Sequence, residues 1–333
     1  MSDADGPRLG PYLDEWLERQ ATQLRPTTLR SYRQVVTAYL KPHLGDHALS
    51  DLDRRGLELL YARLLREGGR NGGPLSVGSV AYIHAVLHRA LSHAVLDGLL
   101  ATNPAASLRP PRHHADIEEL DDEPELWTAA ELARFLEFVD DHPWRALWHL
   151  AVGTGARRGE LLGLRWREVD LEAGRITICR GLSVVDGVPR LLGTKTSRRR
   201  VVSIGATVVD ALARHGEQQD AQREAADVWH DRWGLVFTGA DGAPIDPLAV
   251  TKEFRRLVRE APVPIVRLHD LRHLHASILL GAGVSVPVVS RRLGHTTAAT
   301  TLDIYGHVLP GMDEEAADRI EAALTTTDEP RRS

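Results

Sequence analysis

The chain has 333 residues, 43% of them hydrophobic and 26% charged, and a formal net charge of −5. This length and composition predict a globular protein large enough for two cores, and the single cysteine, Cys179, excludes an internal disulfide and a multi-thiolate metal cluster. No apolar run approaches the roughly 18–20 residues that cross a bilayer, and the N-terminus lacks the features of a signal peptide, so we expect a cytoplasmic protein without a membrane partner.

The first hundred residues show the periodicity of amphipathic helices. Helices are predicted around residues 12–17, from a threonine cap at 27–28 to residues 42–45, over 54–66 and over 77–96. Because the connections between them are short, these helices predict a small bundle.

A polar, proline-containing and acidic segment follows the bundle and is the best domain boundary in the sequence. It leads to Thr128, which together with Glu131 matches a capping box at the start of a helix. We therefore predict a helical domain over residues 1–107, an acidic linker over 108–126, a second domain over 127–320 and an acidic tail over 321–333.

The second domain mixes helices with short strands. Helices are predicted over residues 129–140, 143–153, 206–226 and 246–260, after Gly155 and through the remainder of the chain, and strands over 175–179, 199–204 and 235–237. The first two strands flank Gly187 and Gly193, which favours a small antiparallel sheet. The predicted fold class is mainly α with a small antiparallel β-sheet, in which a helical bundle precedes an α+β domain.

The net charge hides a basic body. Residues 116–125 carry −7 and residues 313–329 carry −6, so the remainder of the chain carries +8. The acidic runs are typical of solvated segments, whereas the basic remainder permits binding to a phosphate backbone.

Arg157 lies where a new helix is predicted to begin after Gly155. Free backbone amides and the helix dipole favour an anion there, and a guanidinium offers a planar fork for two phosphate oxygens. Taken alone, an arginine at such a position is more often a surface residue.

A second group of polar residues lies near the C-terminus: His269, Arg272, His295 and Tyr305 fall within 37 residues. They could converge on one anionic group, or be unrelated polar residues on packed helices. A metal site is a third interpretation, because His269 and His273 are spaced to share a helix face, but the cation at Arg272 would repel a metal.

Five short motifs resemble, in order and separation, the signature of the tyrosine recombinase (phage integrase) family. They are Thr-Gly-x-Arg-x-x-Glu-Leu around Arg157, a lysine on a predicted β-hairpin, His-x-x-Arg from His269, Leu-Gly-His ending at His295, and Tyr305 about ten residues further on. The likeness covers nearly the whole chain, because residues 1–107 resemble the family's SAM-like core-binding domain.

The resemblance implies a site-specific DNA recombinase that forms a 3′-phosphotyrosine and a free 5′-hydroxyl. It implies that Arg157 and Arg272 clamp the scissile phosphate, Lys195 protonates the leaving 5′-oxygen, His269 assists proton transfer, His295 donates a hydrogen bond to a phosphate oxygen, Tyr305 attacks the phosphorus, and Glu160 orients Arg157. The implied partner is double-stranded DNA, bound by a monomer that forms a homo-tetramer in the synaptic complex. No cofactor and no metal are expected.

The chemistry supports these residue types independently. Two arginines can stabilise the charge of a phosphoryl transition state where other enzymes use a metal ion. Lys195 is one of three lysines beside 38 arginines, and a lysine can release a proton at working pH whereas an arginine cannot. Tyr305 is the only tyrosine after Tyr82. The arginines Arg198, Arg199 and Arg200 are predicted to contact the DNA backbone.

Two other functions stay open at this point. The first is a metallohydrolase that uses His269 and His273, and the second is a DNA-binding regulator without catalysis. His273, His275 and His307 are predicted to be surface or core residues. Taken alone, Lys195 could belong to a solvated basic hairpin and Tyr305 could be a packing residue.

Overall fold

The computed structural model describes residues 6–69, 71–109, 126–193, 199–305 and 320–321. The chain forms two compact units, Met1–Glu123 and Pro124–Ser333. No helix within these described ranges is long and apolar enough to cross a membrane.

The first unit is a helical bundle, as predicted. Its helices are α1 (Leu9–Gln20), α2 (Pro26–Val35), α3 (Lys41–Leu44), α4 (Arg54–Glu67) and α5 (Val77–Leu96), with a π-helical turn over Val36–Leu40 and a 3-10 turn over Leu49–Asp51. Trp16 stacks on Tyr32 with ring centroids 5.7 Å apart, and the Tyr12 hydroxyl donates to the carbonyl oxygen of Ala90 at 2.8 Å. These contacts join α1, α2 and α5 around one apolar core.

Two local predictions in this unit are wrong. The cap of α2 is not a threonine: the helix begins at Pro26, and no side chain caps it. Proline suits a first helical position because its missing N–H would have no partner there. Pro42 does not end the helical path, because the π-helical turn allows a new helix to begin at Lys41, with Pro42 in its first turn.

The second unit combines helices with short strands, as predicted. Its elements are α6 (Ala129–Phe138), α7 (Arg145–Thr154), α8 (Arg158–Leu162), β1 (Val169–Asp170), β2 (Arg175–Ile178), β3 (Arg180–Val185), β4 (Val188–Gly193), β5 (Arg200–Ser203), α9 (Ala206–Ala225), α10 (Pro247–Glu260), α11 (Asp270–Gly281), α12 (Val286–Leu293) and α13 (Ala298–Tyr305), with a 3-10 turn over Trp166–Glu168. The capping box of Thr128 and Glu131 is confirmed. The predicted fold class is therefore confirmed.

Among the described residues the strands form two antiparallel sheets rather than one. One sheet has the order β1-β2-β5, and β3 and β4 form a separate hairpin that turns at Asp186 and Gly187. The strand predicted over residues 235–237 is wrong, because Leu235 forms an isolated bridge with Arg165 and the segment packs as buried loop in the core.

Two apolar clusters position the polar residues of the second unit. The large core contains the aromatic residues Trp127, Phe135, Trp148 and Phe254. A smaller cluster lies between α11, α12 and α13 and consists of Ala276, Leu280, Val289, Leu293 and Tyr305. This small cluster fixes Tyr305 against the helices that carry His269, Arg272 and the Leu-Gly-His motif.

Candidate active site

A tight turn between two helices places Arg157. Gly155 caps the C-terminal end of α7, and its φ of 60° is left-handed and favours glycine. A Cβ at Gly155 would lie 2.7 Å from Leu293 Cδ2 and 2.8 Å from His275 Cδ2, so the surrounding side chains leave no room for another residue. Arg157 then immediately precedes α8, and its side chain is one-third exposed.

Glu160 is a buried carboxylate that joins two arginines. It accepts hydrogen bonds from the backbone N–H of Arg157 at 3.0 Å and from Arg157 Nη1 at 3.2 Å. It also accepts from Nη1 and Nη2 of Arg200, at 3.0 and 2.7 Å. Burial raises the pKa of the Glu160 carboxyl, but hydrogen bonds and charge from Arg200, followed by those from Arg157, outweigh burial and lower the pKa overall. Glu160 is therefore charged at neutral pH and restrains the Arg157 side chain.

The prediction that Arg200 contacts the DNA backbone is wrong, because its guanidinium is committed inside the protein. Only 8% of Arg200 is exposed, and its Nε–H donates to the carbonyl oxygen of Arg292 at 2.9 Å in addition to the pair with Glu160. The neighbouring Arg199 is exposed and stays a candidate for contact with DNA. Arg199 immediately precedes β5 and is exposed, whereas Arg200 is the first residue of β5 and is buried.

Arg272 is a second buried cation. Its Nη1 donates to the carbonyl oxygen of Gly155 at 2.7 Å, and its Nη2 donates to that of Leu293 at 2.8 Å. Burial, followed by the charge of Arg157, lowers the pKa of Arg272 to about 10, which leaves the guanidinium protonated at neutral pH. Arg157, His269 and Arg272 line one cavity of about 410 Å³. The structure therefore brings these three predicted site residues together.

The Leu-Gly-His motif forms the left-handed end of α12. Gly294 has a φ of 70°, and a Cβ there would lie 2.8 Å from Arg200 Nη1. His295 follows, and its Nδ1 lies 2.8 Å from Thr301 Oγ1. Burial, followed by the charge of Arg272, lowers the pKa of His295 to about 4, so the ring is neutral at neutral pH. When Nδ1 accepts from the threonine hydroxyl, the Nε2–H of His295 is a donor for a phosphate oxygen.

Tyr305 ends α13 and is 2% exposed. Its hydroxyl lies 2.9 Å from His273 Nδ1. Burial raises the pKa of the Tyr305 phenol, and the charges of Arg272 and Arg157 oppose that rise. The phenol therefore contacts His273, and the positive charges of both predicted clamp arginines act on it.

His273, which sequence reasoning assigned to the surface or the core, contacts two of the candidate site residues. Its ring is nearly perpendicular to that of His269, with centroids 5.1 Å apart, and its centroid lies 5.6 Å from that of Tyr305. Burial is the main cause that lowers the pKa of both histidines. The signal was present in the sequence, because residues four apart on a helix share a face.

His275 is a core residue, as predicted. Its Nδ1 lies 2.7 Å from the carbonyl oxygen of Val152, and its Nε2 accepts from Arg292 Nε at 3.0 Å. Burial, followed by the charge of Arg292, lowers the pKa of His275 to about 4. Arg292 also donates to the carbonyl oxygens of Gly153 and Ser203, so it ties α12 to α7 and β5.

Lys195, Arg198 and His307 lie outside the described residues, as do most of the predicted acidic linker and tail. In the sequence, Lys195 and Arg198 fall after the last residue of β4 and before the first residue of β5. Their roles remain predictions.

The two histidines of the metal hypothesis lie beside arginines. In the part of the chain that the structure describes, no group of three or more His, Cys, Asp or Glu residues is arranged to hold a metal ion. The positive charges of Arg157 and Arg272 contribute to lowering the pKa of His269 and would equally oppose a bound cation. The site is suited to an anion.

Comparisons with known proteins agree with this interpretation. A family model described as the phage integrase family matches residues 125–311, and one described as the phage integrase N-terminal SAM-like domain matches residues 9–64. Tyrosine recombinase XerC of Xanthomonas campestris pv. campestris is 34% identical over 92% of this chain and 86% of that protein. A tyrosine recombinase XerC-like protein of Caldanaerobacter subterraneus subsp. tengcongensis is 27% identical over 94% of this chain and 82% of that protein.

The fold is shared with a solved structure. The Tn1549 transposon integrase in complex with a circular intermediate DNA superposes with a TM-score of 0.77 at 20% identity, covering 94% of this chain and 99% of that one. At this identity the likeness concerns the fold alone. The match covers residues of both units.

Proposed function

The chain belongs to the phage integrase family of DNA breaking-and-rejoining enzymes, and from this premise we propose that Tyr305 is the nucleophile of its reaction. Membership of the family makes the protein a site-specific DNA recombinase. The detailed proposal is that it cleaves and rejoins DNA strands by transesterification through a 3′-phosphotyrosine.

The observation that carries this proposal is geometric: the Tyr305 hydroxyl lies 2.9 Å from His273 Nδ1, and the His273 ring packs against that of His269. His269 in turn lines one cavity with Arg157 and Arg272. The charges of Arg272 and Arg157 oppose the effect of burial on the Tyr305 pKa, so they stabilise the phenolate that attack requires. The same two guanidiniums would bind the non-bridging oxygens of the scissile phosphate, where charge accumulates in the transition state. His295 would donate to one of these oxygens.

In the cleavage step, Tyr305 Oη attacks the phosphorus and the bond from phosphorus to the 5′-oxygen breaks. The departing oxygen takes a proton, which we assign to Lys195 from its position in the family motif. Rejoining is the reverse reaction, in which a 5′-hydroxyl attacks the phosphotyrosine. Because the phosphoester energy is stored in a covalent bond, the reaction needs no nucleotide cofactor.

The proposed partner is double-stranded DNA, bound at specific recombination sites. The basic remainder of the chain supports backbone binding, with Arg199 as a contact. Relatives of known structure support assembly on DNA: lambda integrase has been solved as a dimer bound to a core site and as a tetramer bound to a Holliday junction. We extend this to a homo-tetramer in the synaptic complex and a monomer free in solution.

The alternative functions are not favoured. A metallohydrolase would place its cation against Arg157 and Arg272, and a chelator should leave strand cleavage intact. A catalytically silent regulator would have no need of the predicted nucleophile, cations and imidazoles, and all six residue types are retained in this sequence.

The test uses Tyr305→Phe and a nicked duplex selected by the wild-type protein from a random-sequence pool. When the wild-type protein cleaves this duplex, the short strand between the cleavage point and the nick dissociates, and the covalent adduct is trapped. The adduct is measured on a denaturing gel. Tyr305→Phe should bind the duplex with unchanged affinity and form no adduct. A covalent adduct in this variant would refute the assignment.

A further inference from the structure

The nucleophile is hydrogen-bonded to a histidine outside the predicted catalytic set. His273 lies on α11, and its Nδ1 is 2.9 Å from Tyr305 Oη. His269, one helical turn earlier, packs its ring against that of His273. Tyr305 therefore reaches this histidine pair through His273.

Comparison with His275 distinguishes the contact between His273 and Tyr305 from the hydrogen bonding of an ordinary core histidine. Two positions further along the same helix, His275 has both ring nitrogens bonded within the core, one with the Val152 carbonyl and one with Arg292. His273 is only partly buried, and its Nδ1 lies within hydrogen-bond distance of the hydroxyl that attacks phosphorus in the proposed reaction. That is the geometry required of a general base, which must lie about 2.6–3.2 Å from the atom it deprotonates.

We propose that His273 is a catalytic residue that accepts the Tyr305 proton during strand cleavage and returns it during rejoining. This inference rests on the proposed function, because it assumes that Tyr305 is the nucleophile. It assigns the proton transfer at the nucleophile to His273 rather than to His269.

The proton balance is simple. Before attack, the Nδ1 lone pair of a neutral His273 ring accepts from the Tyr305 hydroxyl, and the ring N–H is on Nε2. As Oη forms its bond to phosphorus, the O–H bond breaks and the proton moves to Nδ1, which gives an imidazolium. The 5′-oxygen leaves with the electron pair of its broken bond and takes a proton from the general acid on its own side. Rejoining returns the Nδ1 proton to the phenolate oxygen of Tyr305.

The charges around His273 are compatible with this role. Burial lowers its pKa, so the ring is neutral before the reaction. The carboxylate of Asp270 raises the pKa, and Arg267 and Arg272 lower it. Asp270 is 3% exposed and is held by Arg267, so its charge lies close by to stabilise the imidazolium once it forms.

The experiment compares two leaving groups in single-turnover cleavage of the nicked duplex. One duplex has the normal bridging 5′-oxygen and the other has sulfur at that atom, which leaves without a proton. His273→Asn places an amide near the Nδ1 position, so it can keep the hydrogen bond but cannot take a proton. It should slow cleavage of both duplexes by the same factor, about 10²–10⁴, which is the usual contribution of a general base.

Two controls define the outcome. Lys195→Ala should slow the oxygen duplex and leave the sulfur duplex fast, as expected for loss of an acid at the leaving group. The acid-side rise of rate with pH in the wild type should disappear in His273→Asn. The inference is wrong if the sulfur duplex restores the cleavage rate of His273→Asn, or if this variant cleaves the oxygen duplex at the wild-type rate.

The experiment distinguishes three causes of a negative result: a variant that does not fold, a wrong role for His273, and a wrong assignment of the nucleophile. Melting temperature and duplex affinity are measured for every variant, and if His273→Asn does not fold, His273→Ala with added imidazole takes its place. Imidazole should restore cleavage to His273→Ala, and the absence of rescue would contradict the inference. A covalent adduct in Tyr305→Phe would overturn the nucleophile itself, whereas an inactive Tyr305→Phe beside a fully active His273→Asn would overturn only the role of His273.

Discussion

Replacing Arg200 with methionine should remove the main partner of a buried carboxylate. The Arg200 side chain makes two charged hydrogen bonds to Glu160, at 3.0 and 2.7 Å, and a third to the carbonyl oxygen of Arg292. Removing one member of a buried ion pair typically costs about 3–5 kcal/mol. Glu160 would keep the backbone N–H and Nη1 of Arg157, so we expect the lower end, about 3 kcal/mol.

The assay is thermal unfolding at neutral pH. For a unit of this size, each kcal/mol lowers Tm by about 2–4 °C, so Arg200→Met should melt about 6–12 °C below wild type. The double variant Arg200→Met, Glu160→Met removes both charges together and should recover most of that loss. It should not recover strand cleavage, because Arg157 would lack the carboxylate that restrains it.

Arg199→Met is the matched control. It removes the same kind of side chain one position earlier, just before β5, where the residue is exposed, so the free energy of unfolding should stay within about 0.5 kcal/mol of wild type. If Arg200→Met melts within 2 °C of this control (a gap of less than about 1 kcal/mol), the buried pair does not stabilise the fold and the reasoning fails.

Three further outcomes follow from the same region. Arg199→Ala should weaken DNA binding for all sequences alike and reduce the slope of log affinity against log salt by about 1; an unchanged slope would exclude a phosphate contact. Gly294→Ala should lower Tm, because it strains a φ of 70° and drives a Cβ to 2.8 Å from Arg200 Nη1; a neutral effect would contradict this packing. The pKa of Glu160 is lowered from 4.5, so the ionised carboxylate stabilises the fold above pH 4.5, and this stabilisation is lost as the pH falls through the lowered pKa. The difference in free energy of unfolding between wild type and Glu160→Gln should therefore narrow in acid; a constant difference would refute the shift.

The helices were predictable because amphipathic periodicity is a local property. The span of α5 and the capping box before α6 are as predicted, since each depends on residues within a few turns. The segment at 235–237 could not be assigned in this way, because a short apolar run suits a strand and a buried loop equally. Its hydrogen-bond partners come from distant parts of the chain, such as the Leu164 carbonyl that accepts from Val236.

The error at Arg200 has a similar origin. Strand alternation requires Arg200 and Val202 to share one face and Val201 to lie on the other. With a valine on each face, the sequence does not say which face is buried, and pairing of β5 with β2 decides it. In the structure Val202 is 1% exposed and Val201 is 58% exposed, which places Arg200 inside. The buried Arg200 guanidinium is paired there with the buried carboxylate of Glu160.

The sequence allowed the candidate site residues to be chosen by chemical type, but it did not give their geometry, because that depends on the groups that hold them. Arg272 is oriented by the carbonyl oxygens of Gly155 and Leu293. Because every residue has a carbonyl oxygen, the sequence does not indicate which of them bind a cation. The sequence does show the glycines at which two chain segments come close together: Gly155 lies beside Leu293, and Gly294 lies beside Arg200. The two glycines of the motifs are therefore as informative as the charged residues, because they show where the backbone must come close enough to hold a cation in place.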